Sequence, residues 1–359
     1  MVAHVSRATL TQILELARWA PRGDNTQPWR FEVVDEAHIR VYGSDTRDHI
    51  LYDFEGHPSH IAHGALLETI RIAATGFGLR SSWHALSDGD HRQPIYDVGF
   101  VADPALQKDP LLGCIESRMV QRRPMKTTPL TSAQRGALVD AVGPGYRVQL
   151  FESFSERKRI ASLLWQSAYI RLTCPEAYPV HKEIIEWHAR FSKDRIPEQA
   201  VGVDPATARL MQWAMQSWER IAFLNRFLGG TLAPRIQLDL LPALFCAAHL
   251  LVRPIVKPDG LEDWVRMGIA WQRVWLTATQ QGLHFQPEMT PIIFRWYARS
   301  GKRFSSEPAL FDRALVLSGA LEHIAQASKT DPFGFLFRVG TCATPKSRSI
   351  RLDLPDLMH

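Results

Sequence analysis

The chain has 359 residues, 45% hydrophobic and 22% charged, with a formal net charge of +5. That composition excludes a disordered chain and is large enough for one big domain or two ordinary ones. The basic residues are dispersed rather than clustered with aromatics, which argues against a nucleic-acid surface. The four cysteines, Cys114, Cys174, Cys246 and Cys342, stand alone with no CxxC pair, which argues against a zinc site or a disulfide framework.

In chain order, ILELARWAP reads as a helix stopped at Pro21, followed by a polar turn and the alternating strand WRFEVV. His57, His60 and His63 follow at third-residue steps that rotate around a helix, with no carboxylate at ligand spacing. They read as surface histidines leading a helix, and no metal site is expected. GALLETIRIAATGFGL carries a helical stripe ended by Gly78, and IYDVGFVADP alternates as a strand. ALVDAVGPGYRVQLF is a second helix-to-strand segment. Residues 153–260 are long, helical and rich in Trp and Arg. Within them the apolar run from Leu240 to Val252 holds Pro242 and His249, is too short to cross a bilayer, and reads as a buried helix. MVAHVSRATLTQ has no signal-peptide core, so a soluble, cytoplasmic protein is expected.

Self-similarity organises the chain. Gly64, Ala74, Gly78 and Leu79 match Gly268, Ala278, Gly282 and Leu283 at one constant offset, in GALLETIRIAATGFGL and GIAWQRVWLTATQQGL. IYDVGFVADP parallels LFRVGTCATP, and ILELARWAP…WRFEVV parallels ALVDAVGPGYRVQLF. Three correspondences in the same order imply an internal duplication.

Three polar clusters carry the candidate chemistry. The turn Pro21, Arg22, Gly23, Asp24, Asn25, Thr26, Gln27 offers backbone N–H groups and two amides, which suit a planar heterocycle or simply form an Asx-type turn. SRMVQRRP places Arg118 and Arg122 on one face if it is helical, ready for an anion or solvent. TPKSRSIR points Lys346 and Arg348 the same way if it is extended, and its alternative reading is a basic tail. No Ser-His-Asp, GxSxG, HExxH or P-loop pattern occurs.

Together, AP-x-x-x-NTQPW (from Ala20), R-x-x-x-RRP (from Arg118) and RVG…PKSR (from Arg338) resemble the flavin-dependent nitroreductases, and their order resembles the subgroup in which two such units are fused in one chain. The resemblance implies an α+β fold, a nitroreductase-like pseudo-dimer of mixed sheets flanked by helices. Residues 1–112 would form one half and 113–359 the other, with a helical insertion or lid at about 153–260. It implies FMN between the halves, with Arg118, Arg122, Lys346 and Arg348 on the phosphate. Pro21, Arg22, Gly23, Asn25 and Gln27 would approach the ring, and Pro287, Glu288 and Met289 would lie near its N5 edge. Val120 stands where the family has a hydroxyl residue, and Arg22 where it has a small one.

The first half has only Arg7 near its start and the second half lacks the amides, so one FMN per chain is expected. The implied activity is two-electron transfer to or from a small planar substrate, with NADPH or NADH as possible donor. The alternatives are FMN storage without turnover and a specialised biosynthetic flavin dehydrogenase or reductase. Either a monomeric pseudo-dimer or a homodimer is compatible with the duplication.

Overall fold

In a computed structural model that describes residues 5–86 and 91–359, the Ser6 hydroxyl accepts a hydrogen bond from the Thr9 amide. This caps α1 (Arg7–Ala17), which buries Leu10, Ile13, Leu14 and Ala17 on one face. β1 (Trp29–Val33), β2 (His38–Gly43), α2 (His57–Thr75), β3 (Leu79–Ala85) and β4 (Ile95–Ala102) complete the first half. Its four strands form an antiparallel sheet in the order β1-β2-β4-β3.

The second half opens with α3 (Ser132–Val142), capped by a reciprocal Thr131–Gln134 box, and β5 (Tyr146–Phe151). The plan is then interrupted. α4 (Phe154–Thr173) packs into the second core. Short elements follow: α5 (Tyr178–Glu183), β6 (Ile185–Glu186), β7 (Phe191–Ser192), β8 (Ile196–Pro197), α6 (Glu198–Val201), α7 (Pro205–Ala214), α8 (Trp218–Phe227), α9 (Leu232–Pro234), a π-helical turn (Arg235–Leu240) and α10 (Leu241–Leu244). The plan resumes with β9 (Ala248–Pro254), α11 (Leu261–Gln280) and β10 (His284–Pro287). After α12 (Thr290–Ser300) and α13 (Pro308–Ala325) it closes with β11 (Phe335–Gly340). The second sheet runs β5-β9-β11-β10, antiparallel throughout. Strand for strand this is the order of the first sheet, so the duplicated pseudo-dimer is visible in the topology. The tail adds β12 (Arg348–Ser349), paired in parallel with β7, and α14 (Leu354–Leu357).

The duplicated glycines mark where the halves meet. A Cβ on Gly64 would lie 1.9 Å from the Val265 carbonyl oxygen, and one on Gly268 would lie 1.9 Å from that of Ile61. Helices α2 and α11 therefore cross backbone to backbone. The crossing also exchanges side chains: Val265 and Leu276 of α11 join the first sheet's core, while Ile61 and Ala65 of α2 join the second. Gly64→Ala should destabilise the protein by about 1–3 kcal/mol through overpacking. A fall in thermal midpoint checks this, since a surface helix glycine would instead be stabilised by the same change.

The structure corrects three local expectations. The apolar run at 240–252 is not one helix, because α10 ends at Leu244 and β9 begins at Ala248. Residues 248–252 are all buried, and a strand covered on both faces loses the alternation that would identify it. The histidines of α2 are not on the surface: His60 and His63 are buried, and His57 stacks on Trp264 with centroids 3.7 Å apart. α2 crosses between two cores and so has little solvent face. Finally, the segment from Arg118 to Arg122 is irregular, joined to the second sheet by a Val120–Phe285 bridge and by Arg338, which donates to the Arg122 carbonyl, so the two arginines share no helix face. Among the described residues no His/Cys/Asp/Glu group is arranged to hold a metal, and no helix is long and apolar enough to cross a membrane.

Candidate functional site

The turn between α1 and β1 is held in an unusual backbone state. Asp24, Asn25 and Gln27 have φ of 58°, 65° and 49°, a left-handed region costly to side-chain-bearing residues unless surrounding contacts enforce it. Those contacts come from far along the chain. Asn25 Nδ2 donates to the carbonyls of Lys193 at 3.0 Å and Ile350 at 3.1 Å. Gln27 Nε2 donates to the carbonyls of Lys193 and Asn25, and its Oε1 accepts from the Leu352 amide at 3.0 Å. The turn thus clasps the β7–β8 segment and the tail, and the Gln27 amide is fully engaged by the chain itself. Asn25 Oδ1 is buried with no hydrogen-bond partner.

Beside the turn lies a small cavity of about 60 Å³, bordered by Arg22, Arg118, Arg122, Arg348 and Arg351. Asp24 is the single acid on its wall. Arg118 is 3% exposed. It donates to the Trp19 carbonyl at 2.8 Å, lies 4.4 Å from the Trp275 ring centroid, and leaves Nε unpaired. Arg351 is buried and donates to the carbonyls of Ala20 and Ile350. Arg348 donates to the Glu116 carbonyl and sits over Trp19, while Arg122 donates to the Ala200 carbonyl.

Among the described residues none of these four guanidiniums forms an ion pair. Burial, then Arg351 and Arg348, push the Arg118 pKa well down. Burial, then Arg348 and Arg18, lower Arg351 to about 9. Like charges crowded out of water are costly unless an anion joins them, and guanidinium forks suit phosphate or carboxylate oxygens.

A larger cavity of about 420 Å³ adjoins it, and Pro21, Arg22, Asp24, Val120, Arg122, Ile196 and Trp275 line both. Its floor is α11, with Trp271 and Trp275, and the segment Gln286–Thr290. Its roof is α5 through the π-helical turn, including Ile184, Ile185, Val201 and Leu238. The roof is thus narrower than residues 153–260, because α4 and β9 belong to the second half's core. Trp275 Nε1, Gln286 Oε1 and Arg338 Nε are buried without partners on this lining.

Beneath the floor runs a charged row that the sequence pattern did not reveal. His249 Nδ1 meets Glu288 Oε2 at 2.7 Å, and Arg338 Nη1 donates to Glu288 Oε1 at 2.8 Å; all three side chains are at most 3% exposed. Pairing of β9 with β11 puts His249 opposite Arg338.

The expected site residues are placed as follows. Pro21, Arg22 and Arg122 line both cavities. Gly23, Pro287, Glu288 and Met289 line the larger, and Asn25, Arg118 and Arg348 the smaller. Gln27 and Lys346 line neither. A bend at Lys346 breaks the extended run that would have aligned it with Arg348, and its side chain is exposed. Arg351, which belongs to the same basic stretch, reaches the small cavity instead.

The equivalent face of the first half is chemically different. The position matching Trp275 is Arg71, which pairs with Glu68 at 2.8 Å and Asp109 at 2.7 Å, and Arg273 joins both acids. Those cations have anions of their own.

The chain is similar to several known proteins. The uncharacterized protein MT1398 of Mycobacterium tuberculosis is 27% identical over 295 residues, 80% of this chain, and the chain spans 39% of that protein's length. The FMN-dependent nitroreductase NfnB of Mycobacterium smegmatis, solved with NADPH, is 11% identical with a TM-score of 0.38, covering 68% of this chain and 95% of that one. A nitroreductase-like protein of Bacillus cereus is 11% identical with a TM-score of 0.36, covering 70% and 95%. Residues 3–57, which contain α1, the strained turn and β1–β2, match the model of the Nitroreductase family.

Proposed function

We propose that the chain is an FMN-dependent oxidoreductase that holds one FMN at the seam between halves comprising residues 1–112 and 113–359. The observation that carries this reading is the nest of four arginines, Arg118 and Arg351 of them buried and none in an ion pair among the described residues, opening into an apolar, tryptophan-floored cavity. Arg118, Arg122, Arg348 and Arg351 fit a phosphate, and the unpaired Arg118 Nε and Trp275 Nε1 are donors awaiting acceptors. The larger cavity suits a flat ring system, with the Pro21–Asp24 turn and Gln286–Met289 on its walls. Bound FMN would supply two-electron transfer through N5, taking electrons from NADPH or NADH or from another donor, while the protein orients the ring and excludes water. The self-neutralised Glu68–Arg71–Asp109–Arg273 network supports a stoichiometry of one, because a phosphate there would meet two carboxylates.

The roof gives FMN storage a foothold as a second reading. Asn25, Gln27 and Ser349 all donate to carbonyls of Lys193 or Arg195, fastening the roof to the seam. Titration of the cofactor-free protein with FMN, followed by anaerobic mixing with NADPH and NADH, separates the readings. One equivalent bound with rapid bleaching is the expected result. Tight binding without bleaching by either nucleotide favours storage over nicotinamide-driven turnover, and a colourless protein that refuses FMN removes both.

A further inference from the structure

We propose that Tyr52 is the proton donor to an acceptor reduced in the larger cavity, with His181 as its relay to solvent. The proposal rests on the flavin reading above and adds the residue that completes a two-electron reduction. Hydride transfer to a conjugated carbonyl moves the π electron pair onto oxygen, and in a closed cavity the proton that neutralises it must come from the wall.

The cavity's ionisable groups leave few candidates. Asp53 accepts from the amides and hydroxyls of Thr46 and Ser59. Asp239 is held by Arg171, and Glu288 by His249 and Arg338. Asp24 lies on the side shared with the arginine nest.

Tyr52 is different. It lies between β2 and α2 on the cavity wall, and its hydroxyl is 2.8 Å from Nε2 of His181, which α5 brings down from the roof. The rings stack with centroids 5.8 Å apart, and both half-buried side chains line the cavity. Burial, then Arg171, lower the His181 pKa to about 3, leaving the imidazole neutral.

The step balances with the tautomer of His181 that carries its proton on Nε2 and donates it to Tyr52 Oη. The Tyr52 proton would then pass to the acceptor oxygen, with bound FMN supplying the electron pair and hydrogen that complete the two-electron reduction at carbon. The phenolate recovers the Nε2 proton, and Nδ1 takes one from solvent. An acceptor whose reduction ends on oxygen is the class this serves.

The test uses the FMN-loaded chain, reduced anaerobically with dithionite and mixed in stopped flow with menadione or with ferricyanide, which takes electrons without a proton. Tyr52→Phe should slow reoxidation by menadione about tenfold or more and abolish its solvent isotope effect, with ferricyanide rates and FMN retention unchanged. His181→Gln should show a smaller loss of the same kind. Equal slowing with both acceptors would mark a packing role for the pair, and unchanged menadione rates, or a loss that follows Asp24→Asn instead, would overturn the assignment alone. A wild-type protein that retains no FMN overturns it together with the reading beneath it.

Discussion

Replacing Arg118 with methionine is expected to weaken FMN retention roughly ten- to hundredfold, the loss of a charged hydrogen bond of about 1.5–3 kcal/mol. The same change should leave the cofactor-free protein as stable as before, or more so. The two effects have opposite signs for one reason. In the free protein the guanidinium is buried against Trp275 with a single carbonyl partner, an unpaired Nε and two like-charged neighbours. Methionine fills much of the same space without a charge to desolvate, and such replacements are often neutral or stabilising. With FMN present, the charge is what the phosphate needs. Fluorescence titration gives the first effect and thermal unfolding of the apoprotein the second. Retained affinity combined with a less stable apoprotein would make Arg118 a structural residue. Lys346→Ala serves as control and should change neither measurement, since that side chain is exposed and borders neither cavity.

How much of this could be read from the residues alone depended on how local each signal was. The repeat was legible because Gly64 and Gly268 must stay small where two backbones touch, and the close approach preserves both the residue and its spacing. The arginines were legible as a charge pattern. Their geometry was not: the segment around Arg118 is irregular, the bend at Lys346 turns one cation outward, and Arg351 takes up a place in the nest. Asn25 and Gln27 marked the right turn, but their strongest partners are the carbonyls of Lys193, Ile350 and Leu352's amide, groups that have no side-chain signature. Burial of the α2 histidines follows from the helix lying between two cores, which no single amphipathic stripe announces.

The asymmetry of the two halves follows from the same contrast. Around Trp275 the chain gathers several arginines against the single acid Asp24, whereas around Arg71 it supplies Glu68 and Asp109 in ion pairs. A duplicated fold thereby keeps one face receptive to an external anion and closes the other with its own carboxylates. The roof supports the distinction, because β7 pairs with β12 of the second half's tail and leans on the first half's turn, covering that one seam.

Glu288→Gln should cost about 3–5 kcal/mol near neutral pH, the scale for removing one partner of a buried charge pair, and the cost should depend on pH in a defined sense. In the wild type, burial alone disfavours a charged His249, but the Glu288 carboxylate and Cys246 outweigh it and push the pKa up to about 10 from an ordinary 6.5. A raised pKa contributes stability that is fully present below 6.5 and is lost as pH rises towards 10. Glu288 is shifted the other way: burial opposes its charge, yet His249 and Arg338 hold its pKa below the ordinary 4.5. Its contribution is present above 4.5 and is lost as pH falls through the lowered value. Both contributions coincide between pH 4.5 and 6.5, so the gap between wild type and variant should be widest there and narrow steadily towards pH 10. Thermal midpoints at pH 6 and pH 9.5 measure the narrowing. A gap of constant size would mean that His249 is neutral in the folded protein and that Arg338 alone balances Glu288. Because Glu288 and Arg338 both face the larger cavity, a variant that leaves Arg338 uncompensated should also take up added inorganic anions more readily, which ties the stability of the row beneath the floor to the chemistry of the site above it.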